Sequence, residues 1–143
     1  MCIRDSTNGA LPMHYTAVKA RRIPMETYHV TTAVGEHPTG TFLDLARFNG
    51  HAVGACRVNG VSPVWEMHPD TDELFYVVEG EFEITLLLPE GPEFHNIGPG
   101  TLFVVPRGIW HRPGAPGGAS FIYLTPGQTL HSEAEDPRRP GQL

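Results

Sequence analysis

Turn residues punctuate this chain too densely for anything but short elements. Between residues 41 and 125 it is broken by Asn49-Gly50, Asn59-Gly60, Glu79-Gly80, the stretch PEGPEFHNIGPG at 89–100, and Pro106-Arg107-Gly108. Asn-Gly is a tight-turn signal because both central residues of a type I′ turn need positive φ. The runs between the breaks are short and rich in β-formers. They predict strands at 26–34, 41–48, 52–58, about 63–68, 73–78, 81–88 and 101–105, another starting at Trp110-His111, and a last one at 121–125. Residues 35–40 and 89–100 read as loops. In 81–88 Phe82, Ile84, Leu86 and Leu88 share one face, and Glu81, Glu83 and Thr85 the other. No helix longer than a turn or two is predicted. With 16 Gly and 14 Pro in 143 residues, the chain reads as an all-β sandwich or barrel of short antiparallel strands.

That length suits one domain around one core. Residues 1–22 show no period and are expected to form a loose arm, with 1–6 (MCIRDS) resembling translated adapter sequence rather than native chain. The domain proper is expected at 23–126, and the Pro-rich 127–143 as an extended C-terminal tail. The net charge of -6, with no basic cluster longer than Arg21-Arg22 or Arg138-Arg139, argues against nucleic acid as a partner. The longest apolar runs, such as Leu74 to Val78, fall far short of the ~20 residues that span a bilayer, so no membrane partner is expected. The first residues lack the apolar core of a secretory peptide. Two cysteines, Cys2 and Cys56, do not make a disulfide framework, and a cytoplasmic location is the expectation.

The chemistry concentrates in WEMHPDTDELFYVVEG, Trp65 to Gly80. Residues two apart in a strand point the same way, so Glu66 and His68 share a face opposite Trp65 and Met67. If PDTD, 69–72, is a hairpin loop, His68 and Glu73 oppose one another across it. Three potential ligands then converge. A solvated sheet face is the competing reading. Against it stands the strand after Glu73, which is apolar on both faces: Phe75 and Val77 on one, Leu74, Tyr76 and Val78 on the other. Glu73 shares its face with Phe75 and Val77 and so points inward, where a carboxylate is costly unless paired or bound to a cation.

These residues resemble the first signature of the cupin superfamily, His-x-His, three or four residues, Glu, six residues, Gly. His68, Glu73 and Gly80 match it, and Glu66 stands where the first histidine would be. GTLFVVPRGIWH resembles the second signature through Gly100, Pro106, Gly108 and His111. The resemblance covers roughly residues 40–126. It implies a jelly-roll β-barrel, commonly a homodimer, and it brings His111 to His68 and Glu73 to complete a metal site. Glu66 then has two roles open: fourth ligand through oxygen, or base beside the ion. Two imidazoles with one or two carboxylates suit Fe²⁺ or Mn²⁺ best, with Zn²⁺, Ni²⁺ or Cu²⁺ also compatible.

Phe75, Val77 and Ile109 are expected to line the substrate cavity, and Arg107 is a candidate contact for an anionic group. Trp65 and Trp110 lie on the opposite parity and read as packing residues. His14, His29, His37, His51, His95 and His131 have no partner at ligand spacing and read as surface residues. Cys56 reads as a buried thiol. The leading expectation is a metal-dependent enzyme acting on a small organic molecule, an oxidoreductase of the dioxygenase kind using O₂ or peroxide. The alternatives are a non-redox lyase or isomerase with Glu66 moving a proton, and a small-molecule-binding cupin without turnover.

Overall fold

The computed structural model describes residues 25–139. The expected arm at 1–22, including 1–6, lies outside them. Nine strands and one short helix follow in order: α1 (Val30–Gly35), β1 (Phe42–Phe48), β2 (His51–Val61), β3 (Trp65–Met67), β4 (Glu73–Gly80), β5 (Phe82–Leu88), β6 (Gly91–Ile97), β7 (Leu102–Val105), β8 (His111–Leu124) and β9 (Leu130–Ser132). All pairings are antiparallel. The sheet curls into a jelly roll, as the turn density and the family resemblance require.

β8 is the spine. Along one edge it pairs with β2 and β3, and along the other with β4 and β5. β1 extends β2, β6 extends β5, β7 extends β4, and β9 extends β3. Asn49 and Gly50 adopt φ of 50° and 80°, as the type I′ turn between β1 and β2 demands.

Several expected elements differ. Residues 26–34 hold no strand; 30–35 form α1, capped by the His29 ring, which accepts from the Thr32 amide at 3.3 Å. The β-branched residues there suggested a strand, but the cap and the burial of Val34 against β2, β4 and β8 override that propensity. Asn59-Gly60 is not a turn. It is a register shift inside the continuous β2, opposite the bend of β8, with Gly60 at φ 85°. The expected loop at 89–100 is β6 for most of its length, paired with β5 through a tight turn at Pro89-Glu90. The two strands expected at 110 and 121–125 are one, β8, which runs through Pro113 and Pro116. The 101–105 strand is not buried on both faces: Leu102 and Val104 are exposed. Part of the 127–143 tail is β9, extended as expected but hydrogen-bonded to β3.

The core lies inside the roll. Phe75 stacks on Phe103 at 4.9 Å, Phe82 meets Phe121 edge-on at 5.0 Å, and Cys56, Val77, Ile84, Ile97 and Val105 pack around them. Rings in such tilted and offset arrangements gain beyond the area they bury. Gly80 is required at the exit of β4: its φ is 78°, and a Cβ there would stand 2.1 Å from the Gly118 carbonyl oxygen. Among the described residues, no helix is long and apolar enough to cross a membrane.

Candidate metal centre

His68, Glu73 and His111 meet at one end of this core, exposed by 3 %, 5 % and 0 %. His68 Nε2 and His111 Nε2 each lie 2.9 Å from Glu73 Oε2. The convergence expected from sequence is present, but the hairpin invoked for it is not. β3 pairs with β8 and β9, never with β4. The loop 69–72 carries the chain across the roll instead. Asp70 Oδ1 accepts from the Gln128 amide and Asp72 Oδ1 from the Arg107 amide, both at 2.9 Å, tying the loop to two neighbours. The Gly108 amide donates to the His68 carbonyl at 2.8 Å, linking the two sequence signatures. His111 is set by the register of β8, which places it opposite both Glu66 and Leu86.

The outer atoms of each ligand are fixed. His111 Nδ1 lies 2.9 Å from the Ile109 carbonyl, which only accepts, so that nitrogen carries the proton. His68 Nδ1 lies 3.3 Å from the Gln128 carbonyl and 3.1 Å from Thr129 Oγ1. In their neutral forms both rings therefore aim the bare Nε2 at a carboxylate oxygen. Three lone-pair atoms facing one another in a dry site need protons or a metal ion between them. An ion with ligands at ~2.1 Å and right angles separates neighbouring ligand atoms by ~3.0 Å, close to the 2.9 Å found here. The donor set fits a divalent metal.

The electrostatics agree. Burial pushes the Glu73 carboxyl up, but hydrogen bonds from His111, His68 and Thr125 outweigh it and hold it at about 2. Burial pushes His111 down, but its contacts with Glu66, Glu73 and the Ile109 carbonyl lift it to about 9. His68 is raised too, with burial opposed by the hydrogen bond and charge of Glu73. The cluster carries an excess of negative potential that protons or a metal must meet.

Glu66 stands at the rim. Its Oε1 is 3.5 Å from His111 Nε2 and its Oε2 is 4.0 Å from His131 Nε2, with 23 % of the side chain exposed. It reaches the trio only at His111, and lies farther from that ring than Glu73 does. A cavity of about 310 Å³ opens beside the trio, walled by Phe42, Phe75, Phe121 and Tyr123 and by Thr125 and Thr129. Of the residues expected to line it, Phe75 does. Val77 shares the face of Phe75 but lies farther along β4, fully buried in the core, and Ile109 packs against that core from its turn. Arg107 is exposed on its turn, donates its backbone amide to Asp72 and does not line this cavity. Trp65 is buried on the opposite face under the Arg112 guanidinium, 4.4 Å from its centroid. His95 is on the surface as expected, but it has a partner the sequence reading did not give it, Glu93 Oε1 at 2.6 Å.

Sequence reasoning missed Thr125, Thr129 and His131. Thr125 Oγ1 donates to Glu73 Oε1 at 2.6 Å. It shares strand parity with Phe121 and Tyr123, a signal that was available. Thr129 and His131 lie on the segment read as tail, where no periodicity marks them; His131 sits directly opposite Glu66 in the β3–β9 pairing. Cys56 is the fully buried free thiol expected, pushed up to about 11 by burial. Tyr123 is lifted to about 12, first by burial and then by negative neighbours that include Glu73 and Glu66.

A jelly roll that gathers two imidazoles and a carboxylate from two strand starts and one loop, beside a cavity with aromatic walls, defines a class of metal-binding barrels. The chain belongs to the cupin domain family, whose profile matches residues 56–137. No curated protein matches it. Among solved structures it is similar to a cupin-2 domain containing protein from Shewanella frigidimarina NCIMB 400, with 27 % identity, 63 % of this chain and 83 % of that one covered, and a TM-score of 0.57. It shares its fold with a protein from Neisseria meningitidis, at 22 % identity, 69 % and 97 % coverage and a TM-score of 0.59. The same holds for hydroquinone 1,2-dioxygenase from Sphingomonas sp. TTNP3 with 4-hydroxybenzoate bound, at 18 % identity, 66 % and 70 % coverage and a TM-score of 0.58.

Proposed function

We propose that this chain is a metal-dependent cupin enzyme that oxidises a small, partly apolar organic molecule with O₂ or peroxide. One observation carries the reading: His68 Nε2 and His111 Nε2 converge on Glu73 Oε2 at the dry end of an aromatic-walled cavity. His68, Glu73 and His111 hold the ion, with Fe²⁺ or Mn²⁺ the best match to this nitrogen and oxygen set. When bound, the ion supplies a Lewis acid and redox centre with positions left for substrate and oxidant. The chain supplies the rest. Thr125, Ile109 and Gln128 fix the ligands from outside, and Phe42, Phe75 and Phe121 exclude water and seat an apolar ring. Glu66 acts as fourth ligand or takes a substrate proton; Glu66→Gln separates these, since lost metal marks a ligand and retained metal with lost turnover marks a base.

The test is elemental analysis of the purified protein joined to a substrate screen run with and without oxygen. Bound Fe or Mn with oxygen-dependent turnover is expected. Failure to bind any transition metal sinks the proposal. Turnover that persists without oxygen or peroxide favours the non-redox lyase or isomerase, a reading supported by Glu66 standing at the rim, free to move a proton.

A further inference from the structure

The geometry points to a substrate that is uncharged or carries a cationic amine, and not to a carboxylate or phosphate; this rests on the metal-enzyme reading of the same site. A second cavity of about 690 Å³ adjoins the first and shares Phe42, Glu66, Phe121 and His131 with it. The acidic groups lining this joint chamber are Glu73 in the inner cavity, Glu66 in both and Glu133 in the outer one. Among the described residues, no Arg or Lys borders it. Arg112 lies over Trp65 and Arg57 borders a different groove, while Arg107 stands outside on its turn. His131 faces Glu66 at 4.0 Å, so any positive charge on it is met by that carboxylate.

Glu66 decides the balance. Glu73 and Glu66 together neutralise a divalent ion, and Glu133 leaves the chamber negative. A histidine at position 66 would leave the ion with a positive excess that draws anions. Here, with the ion's charge already matched by carboxylates, an anion would shed its hydration shell and meet no Arg or Lys side chain among the described lining residues. An amine or a neutral ring meets no such penalty, and Phe42, Phe121 and Tyr123 offer π-faces to either.

The test uses Mn²⁺-loaded protein and isothermal titration with benzyl alcohol, benzylamine and benzoate, which share a ring and differ in charge. The alcohol and the amine are expected to bind at least about tenfold more tightly than benzoate. Glu133→Gln, remote from the metal, is expected to raise benzoate affinity a few-fold with Mn²⁺ affinity unchanged; Glu66→Gln is expected to raise it about ten- to a hundredfold. Benzoate binding as well as or better than the alcohol in the unmodified protein overturns the inference, as does failure of both alcohol and amine to bind at millimolar concentration. Protein that holds no Mn²⁺ refutes the metal reading and this inference with it, whereas loaded protein that prefers benzoate refutes this inference alone.

Discussion

Thr125→Val tests whether the metal site depends on its outer support. The Thr125 hydroxyl holds Glu73 Oε1 at 2.6 Å while Oε2 faces both imidazoles. Valine keeps the shape and removes the donor. The carboxylate is 5 % exposed, so water does not readily replace the lost bond. A hydrogen bond to a charged group contributes about 1.5–3 kcal/mol, which at about 1.4 kcal/mol per decade is a ten- to hundredfold change in a binding constant. That is also the usual cost of removing a group that orients a metal ligand. Two consequences are expected. Mn²⁺ affinity, measured by competition with a chelator of known strength, falls about ten- to a hundredfold. The Glu73 carboxyl of the metal-free protein rises from about 2, because one of its three hydrogen bonds is gone. Thr125→Ser, which keeps the hydroxyl, restores both. A folded Thr125→Val protein that binds Mn²⁺ as tightly as the parent refutes the argument that the carboxylate is held from behind.

The other perturbations follow from burial and charge. In the metal-free protein the depressed Glu73 stabilises the fold above its ordinary value near 4.5 and loses that contribution as pH falls toward about 2. The raised His111 stabilises it below 6.5 and loses that contribution as pH rises toward about 9. Urea unfolding of the metal-free protein should therefore show a stability maximum between about 4.5 and 6.5, and a flat profile across pH 3–9 counts against the cluster. Mn²⁺ affinity should rise with pH through the range in which the imidazoles shed their protons, and a pH-independent affinity would show that they are not ligands. Gly80→Ala should destabilise by at least about 2 kcal/mol, from positive φ and a collision with backbone, read from the urea midpoint. Arg107→Ala should change stability by less than about 0.5 kcal/mol and leave ligand binding unchanged, since only its amide is used.

The strands with clean alternation were legible because parity is local. Phe82 and Ile84 are buried where the pattern put them, although farther along β5 Leu87 is buried in place of Leu86 and Leu88, and Glu73 is inside because Phe75 and Val77 are. Elements whose identity depends on a distant partner were not legible. β6 is polar and carries Pro92, so nothing in 89–100 announces a strand; it exists because β5 offers an edge to pair with. β9 is three residues long and gains its backbone bonds from β3. The break seen in 110–125 is a bend within one strand, since Gly117 and Gly118 let β8 turn while β2 and β4 follow it.

The metal site shows the same division more sharply. Parity alone put Glu66 and His68 on one face and Glu73 inward, and that part holds. The hairpin that was to bring His68 to Glu73 does not exist, yet Nε2 and Oε2 stand 2.9 Å apart. The reason is that a roll closed on itself points all its inward faces at one interior, so inward residues near the same end meet whichever strands carry them. His68 just past the end of β3, Glu73 at the start of β4 and His111 at the start of β8 share one end of the barrel. So does Thr125, which follows β8 at Leu124, because β8 bends midway and brings its two ends back to the same rim. Inward parity plus position along the barrel axis is thus sufficient to predict convergence. Applied to the last strand read from sequence, 121–125, the same rule selects Thr125 at its end, which is why its substitution is the sharpest test of the site.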